Sequence, residues 1–216
     1  MVFFIAKQFQ IKAKSVLLNP ILISIAIIIA FLKLTNISYE TYNESGQLIE
    51  FWLKPAVVAL GVPLYLQLEA IKKQIIPIML SQLAGCISGI ISVVLIAKYM
   101  GASEEVILSI TAKSVTTPIA MEVTNTIGGV PSLTATVVVF VGLLGAVCGF
   151  KTLQVTRVNT PIAQGLSMGT AAHAVGTSTA MEVSSEHGAY ASLGLTINGI
   201  LTAMLAPTLL KLMGIL

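Results

Sequence analysis

The sequence predicts an all-α integral membrane protein, and three features indicate this class. Hydrophobic residues make up 56% of the 216 residues, charged residues make up only 10%, and the mean hydropathy is +0.93. Soluble domains carry about 25% charged residues, so this chain is too poor in charge to cover a soluble surface. The apolar residues form runs long enough to cross a bilayer, and the second half of the chain contains an internal repeat. We therefore expect a multi-pass protein surrounded by lipid.

The charge distribution favours membrane topology over nucleic-acid binding. The formal net charge is +3, but Lys and Arg lie mainly at the ends of apolar runs. No basic patch with interleaved aromatic residues is present, so we expect no nucleic-acid partner. The two cysteines, Cys86 and Cys148, lie in apolar runs without the spacing of a metal site. We expect them to be free packing groups, and we expect neither a metal nor a cofactor.

A spanning helix needs about 20 mostly apolar residues. The polar stretch Thr35–Glu50 separates the first two candidate crossings, and Pro63 is expected to kink the second. Gly85 and Gly89 give the third a small-residue face, which favours close helix contact within the chain or between two copies. The five predicted crossings are Val16–Leu34, Phe51–Leu68, Ile75–Ala97, Leu133–Phe150 and Tyr190–Met213.

Two further segments are only patchily apolar, and they carry a repeat. These segments are Glu104–Thr126 and Pro161–Ser185, and each precedes a clean crossing. Lys113–Thr134 aligns without a gap to His173–Gly194, sixty residues later, with nine identities in 22 positions. Because the recurring residues include a Thr and a Glu, the repeat indicates more than duplicated packing. Its units span about 104–150 and 161–213, within a single membrane domain predicted over 1–216.

The two repeat units are parallel if each patchy segment spans the membrane, and they are inverted if each segment enters and returns on one side. The N-terminal lysines place that end of the chain inside. The loop with Lys151 and Arg157 is then also inside only if Glu104–Thr126 is re-entrant. We therefore predict an inverted pair of broken or re-entrant helices, with breaks at Pro118 and Gly176.

The motifs KSVTTPIAMEV, IGGVPSLTA, GTAAHAVGT and SLGLTINGILTAMLAP together resemble the LrgB/CidB family of bacterial membrane proteins, from about Leu18 onward. The resemblance implies an antiholin-like role in regulating murein hydrolase activity and cell lysis, beside a smaller LrgA/CidA-type membrane protein. A plastid relative is a glycolate/glycerate transporter, and bacterial members are linked to pyruvate, which implies a small carboxylate anion as cargo. The family usually begins with a full apolar helix before the basic stretch at Lys7–Lys14, whereas here only Met1–Ala6 precedes it.

Polar residues of the repeat are the predicted site. Lys113 either pairs with a carboxylate or extends to the membrane interface, and His173 either responds to protons or is structural. Glu122 and Glu182 either hold the transported proton or fix the hairpins. The residues predicted to bind the anion are Lys113, Ser114, Thr116, Thr117, His173, Gly176 and Thr177.

No serine is marked as an activated nucleophile, so we expect no enzyme. Two hypotheses remain for a protein of the bacterial plasma membrane. The first is a secondary carrier or facilitator for small monocarboxylates such as pyruvate, glycolate or lactate. The second is an antiholin-like regulator that acts through membrane partner contacts. We also expect a homo-oligomer, with a dimer favoured.

Overall fold

The computed structural model describes residues 2–13, 20–59, 65 and 68–216, and every regular element in these ranges is a helix. This confirms the predicted all-α class. The chain divides into two compact units, Met1–Ala56 and Val57–Leu216. The helices are α1 (Val2–Ala13), α2 (Pro20–Thr35), α3 (Tyr39–Ala59), α4 (Leu68–Lys73), α5 (Ile75–Tyr99), α6 (Glu104–Thr111), α7 (Thr117–Ile127), α8 (Pro131–Val155), α9 (Pro161–Val183) and α10 (Ser185–Leu212).

In the first unit, α1 packs against α2, and α3 begins earlier than the sequence predicts. The stretch Thr35–Glu50 was expected to be a polar connection, but a helix starts within it at Tyr39. The Ser38 hydroxyl accepts a hydrogen bond from the backbone N–H of Thr41 at 3.3 Å. Glu40 lies in the first turn, where a carboxylate is favourable to the helix dipole. These two residues favour a helix start at Tyr39 although the segment contains few apolar residues.

Three helices of the described part are long and apolar enough to cross a membrane. They are α5, α8 and α10, with 25, 25 and 28 residues, and they coincide with three of the five predicted crossings. The predicted crossing Val16–Leu34 lies partly outside the described residues. Helix α2 accounts for its later part, from Pro20 onward. The predicted kink at Pro63 also lies outside the described residues.

Helices α6 and α7 enter and return on the same side, and we call them hairpin 1 (residues 104–127). The Ser109 hydroxyl, in the second half of α6, accepts a hydrogen bond from the backbone N–H of Val130 at 2.8 Å. The hydroxyl of Thr134 lies 2.7 Å from the Ser109 carbonyl and 2.9 Å from the Thr124 hydroxyl. The second half of α6 therefore lies beside the end of α7 and the start of α8, as in a re-entrant hairpin rather than in a single crossing.

Helix α9 folds back in the same way, and we call it hairpin 2 (residues 161–183). The chain turns at residues 172–173, where His173 has φ 43° and ψ −134°. A Cβ added at Gly176 would meet the backbone of Met168, so the two halves lie side by side. At the open end, the His187 ring nitrogen Nε2 lies 2.9 Å from Gln164 Oε1, which joins the first turn of α9 to the first turn of α10.

The two hairpins open toward opposite ends of α8. This helix begins at the mouth of hairpin 1, where Val130 and Thr134 contact Ser109. It ends at the mouth of hairpin 2, where the Phe150 ring lies 5.9 Å from the His187 ring. The breaks at residues 112–116 and 172–173 are equivalent under the sixty-residue offset of the repeat. The repeat is therefore an inverted pair of broken helices whose tips meet inside the second unit.

The breaks lie a few residues before the predicted positions. Pro118 lies in the first turn of α7, where proline fits because its fixed φ suits a helix start. Gly176 lies within the second half of hairpin 2, and the turn itself is made by His173. Proline and glycine were expected to interrupt the helices, but here they follow the interruptions.

Impermeant thiol labelling tests the inverted arrangement. In a background with Cys86→Ala and Cys148→Ala, we expect both flanks of one hairpin to label from the same side of the membrane, and the two hairpins to label from opposite sides. Two membrane-crossing segments would instead place the flanks of each hairpin on different sides. The exposed test positions are Glu104→Cys and Asn125→Cys for hairpin 1, and Thr156→Cys and Glu186→Cys for hairpin 2.

Candidate functional site

A cavity of about 660 Å³ lies within the second unit. Its walls are one face of α5, the tip of hairpin 1, the first half of hairpin 2 and the middle of α10. This size falls within the range of about 300–1,000 Å³ that is usual for small-molecule sites. The polar residues in its wall include Gln82, Lys113, Ser114, Thr170, Asn198 and Thr202.

Lys113 supplies the positive charge of the cavity. It follows the end of α6, and its ammonium group donates a hydrogen bond to the Ser114 hydroxyl at 2.9 Å. Among the described residues, the one ion pair is the exposed Lys72–Glu69 pair at 3.4 Å, so Lys113 has no carboxylate partner there. A partly buried ammonium without a counter-ion favours binding of an anion.

Asn198 joins the two hairpins from the middle of α10. Its side-chain nitrogen Nδ2 donates to the Ser114 carbonyl at 3.2 Å and to the Thr170 carbonyl at 3.0 Å. The first carbonyl belongs to the break in hairpin 1, and the second lies just before the turn in hairpin 2. The side chain is only 2% exposed, and its oxygen Oδ1 has no hydrogen-bond partner in the described part of the chain.

Gln82 extends this polar connection to α5. The Thr170 hydroxyl lies 2.6 Å from Gln82 Oε1 and 2.7 Å from the Leu166 carbonyl, and its one hydrogen is shared between these two acceptors. One turn further along α5, the Cys86 thiol lies 3.4 Å from the Thr202 hydroxyl of α10. These hydrogen bonds connect Lys113 to Gln82 by way of Asn198, and they use both the hydroxyl and the backbone carbonyl of Ser114 and of Thr170.

The structure brings two of the predicted anion-binding residues, Lys113 and Ser114, into the cavity wall and leaves the other five outside it. His173 is 3% exposed, and its Nε2 donates to the Val138 carbonyl at 2.8 Å. The Thr177 hydroxyl donates to the His173 carbonyl at 2.9 Å. The others outside the wall are Thr116, Thr117 and Gly176; Thr116 is buried, and its hydroxyl has no partner among the described residues.

Glu122 and Glu182 are both exposed and do not line the cavity. Each lies on the returning half of its hairpin, so the inverted arrangement places them toward opposite ends of the unit. In the described part of the chain, no group of three or more His, Cys, Asp or Glu side chains could hold a metal ion. The roles predicted for the two glutamates remain predictions.

Gln82, Thr170 and Asn198 were not predicted as site residues. A signal for Gln82 was available, because small or polar residues recur along α5 at intervals of three or four. This spacing places them on one face of a helix. These residues are Ser81, Gln82, Gly85, Ser88, Gly89 and Ser92. Asn198 is an isolated polar residue in an apolar run, which indicates a buried hydrogen bond but not its partners.

Two inverted re-entrant hairpins around a polar cavity, packed against long apolar helices, define an integral membrane protein. The chain belongs to the LrgB-like family, whose sequence profile matches residues 1–212. The uncharacterized protein YwbG of Bacillus subtilis is 39% identical over 208 residues, which cover 96% of this chain and 92% of that protein. Antiholin-like proteins LrgB of Bacillus cereus and Bacillus anthracis are 34% identical over 198 residues, covering 92% of this chain and 86% of theirs. No solved structure matches the chain.

Removing the Asn198 amide tests its structural role. We expect Asn198→Leu to lower the free energy of unfolding in detergent by about 1–3 kcal/mol, because two buried carbonyls lose their donor. The matched variant Asn125→Leu changes an exposed residue of α7 and should shift stability by no more than about 0.5 kcal/mol. Equal melting temperatures for the two variants would contradict this role.

Proposed function

We propose that this protein moves small monocarboxylates of the pyruvate, glycolate or lactate kind across the bacterial cytoplasmic membrane. It does so as a secondary carrier or facilitator together with an LrgA/CidA-type membrane protein. The observation that carries this proposal is the Lys113 ammonium at the tip of hairpin 1, facing the cavity without a carboxylate partner among the described residues. Broken helices that meet around an inverted-repeat axis are typical of secondary transporters.

The chemistry of the cavity suits a small carboxylate. Lys113 donates to the Ser114 hydroxyl, so that hydroxyl retains its own hydrogen for a ligand oxygen. The ammonium and the hydroxyl can together bind the two oxygens of one carboxylate, and hydrogen bonds to a charged group are the stronger kind. The rest of the wall contains many apolar residues, which suits a cargo with few polar atoms.

The ends of the unit also differ in charge. Lys151 and Arg157 lie near the mouth of hairpin 2. Lys72 and Lys73 end α4, just before α5 begins. The start of α5 lies at the same end of the unit as the mouth of hairpin 2, because Ile78 packs with Leu166 of α9 and Leu193 of α10. By the preference of cytoplasmic loops for basic residues, we propose that hairpin 2 opens to the cytoplasm and hairpin 1 opens to the outside.

Uptake of labelled pyruvate into proteoliposomes, with and without an LrgA-type partner, tests the transport proposal. We expect Lys113→Met to lower the uptake rate at low substrate by about tenfold or more, because the carboxylate loses a charged donor. Lys151→Met removes an exposed lysine outside the main cavity and should leave uptake within about twofold of the wild type. Absence of uptake for pyruvate, glycolate and lactate by the wild-type protein would refute the proposal.

The second candidate is an antiholin-like regulator that acts through contacts with membrane partners. The names of the Bacillus cereus and Bacillus anthracis relatives support this role more directly than they support transport. The two roles are compatible, since movement of a metabolite and control of lysis can belong to one protein.

Autolysis of cells that carry Lys113→Met separates the two candidates. If partner contacts alone control lysis, a variant that still reaches the membrane and assembles should restore normal autolysis to a deletion strain. If transport is the cause, the same variant should lose both uptake and control of autolysis. Immunoblots of the membrane fraction and detergent-solubilised size provide the necessary check on assembly.

A further inference from the structure

Gln82 is a buried amide in the first half of the apolar helix α5, and only one of its two polar atoms has a hydrogen-bond partner among the described residues. It is 2% exposed and lines the cavity. Its oxygen Oε1 accepts a hydrogen bond from the Thr170 hydroxyl at 2.6 Å. Its nitrogen Nε2 has no hydrogen-bond partner among the described residues. Unlike the enclosed oxygen Oδ1 of Asn198, this nitrogen remains accessible at the surface.

This arrangement leaves the amide nitrogen of Gln82 as a donor for a ligand in the cavity. One lone pair of Oε1 is used by the Thr170 hydroxyl, whereas both N–H groups of Nε2 are unpaired in the described part of the chain. An unpaired amide in a membrane helix is costly, so a group that pairs with it in the cavity would be bound favourably. Lys113 and Ser114 of hairpin 1 line the same cavity and are connected to Gln82 through Asn198 and Thr170.

We propose that Gln82 is a substrate-binding residue that donates a hydrogen bond to the C2 oxygen of a 2-oxo- or 2-hydroxycarboxylate whose carboxylate is held by Lys113. This inference rests on the transport function proposed above. Thr170 acts as a positioning residue, because its hydroxyl keeps the amide nitrogen toward the cavity and the amide oxygen away from it. The site then selects acids with an oxygen at C2 over plain short-chain acids of the same length.

Pyruvate and propionate provide the matched ligand pair, because they share a three-carbon skeleton and differ in the C2 oxygen. Each is tested as an inhibitor of labelled pyruvate uptake into proteoliposomes. We expect the wild-type protein to bind pyruvate about fivefold to tenfold more tightly than propionate, which is the ratio that one hydrogen bond provides. Gln82→Met should bring this ratio close to one by weakening pyruvate while leaving propionate unchanged.

Two further variants separate recognition from packing. Thr170→Val removes the hydroxyl that orients the amide and should lower the ratio by about twofold to threefold. Leu83→Met changes the neighbour of Gln82 on α5, which is 37% exposed and lies outside the cavity wall, and should keep the wild-type ratio. These variants share the helix or the hydrogen bond of Gln82, so they control for local disturbance.

The outcomes distinguish this inference from the function on which it rests. A wild-type protein that transports pyruvate, combined with a Gln82→Met variant that keeps the ratio or weakens both acids equally, would overturn the role of Gln82 alone. A wild-type protein that transports neither pyruvate, glycolate nor lactate would overturn the proposed function, and the inference with it. Loss of the ratio in Gln82→Met with propionate binding retained would support both.

Discussion

The hydrogen bonds of Asn198 hold the second unit together. A backbone carbonyl without a partner is costly at membrane depth, because no water is available to replace the missing donor. Each helix break creates such carbonyls, and each hairpin of this protein contains a break. One amide group donates to the Ser114 carbonyl of hairpin 1 and to the Thr170 carbonyl of hairpin 2. The tips can meet within the unit because this one side chain satisfies both of them.

Each hairpin tip forms a hydrogen bond with a long helix of the other repeat unit, but the roles of side chain and backbone are exchanged between the two bonds. Val138 is the counterpart of Asn198 under the sixty-residue offset, and His173 is the counterpart of Lys113. In one half, the Asn198 side chain donates to the backbone beside Lys113; in the other half, the His173 side chain donates to the backbone of Val138. Valine has no polar side chain, so the tip of hairpin 2 supplies the donor itself. This geometry favours a structural role for His173 and leaves the Lys113 ammonium available to the cavity.

The sequence was sufficient for the elements whose signals are local or repeated. Composition predicted the membrane class, long apolar runs predicted α5, α8 and α10, and the charges of one loop predicted that the hairpins are re-entrant. The cavity was harder to predict from the sequence, because Gln82 contacts Thr170, and Asn198 contacts Ser114, across 88 and 84 residues of chain. Glu122 and Glu182 were predicted because they recur, but recurrence does not determine whether a side chain faces the cavity. The early start of α3 depends on the capping residue Ser38 in a segment of low hydrophobicity.

A comparison of glycines sixty residues apart shows why the cavity lies beside α5 and not beside α8. Gly85 and Gly89 of α5 are the counterparts of Gly145 and Gly149 of α8 under the same offset. A Cβ at Gly145 would meet Ala172, and one at Gly149 would meet the side chain of Met168, so α8 packs tightly on hairpin 2. A Cβ at Gly89 would meet nothing within 4 Å, and one at Gly85 would meet only the Thr170 methyl group at 3.2 Å. The same small-residue spacing therefore closes the contact between α8 and hairpin 2, and leaves α5 separated from the tip of hairpin 1. Since Lys113 belongs to that tip, the opening lies where the free positive charge is.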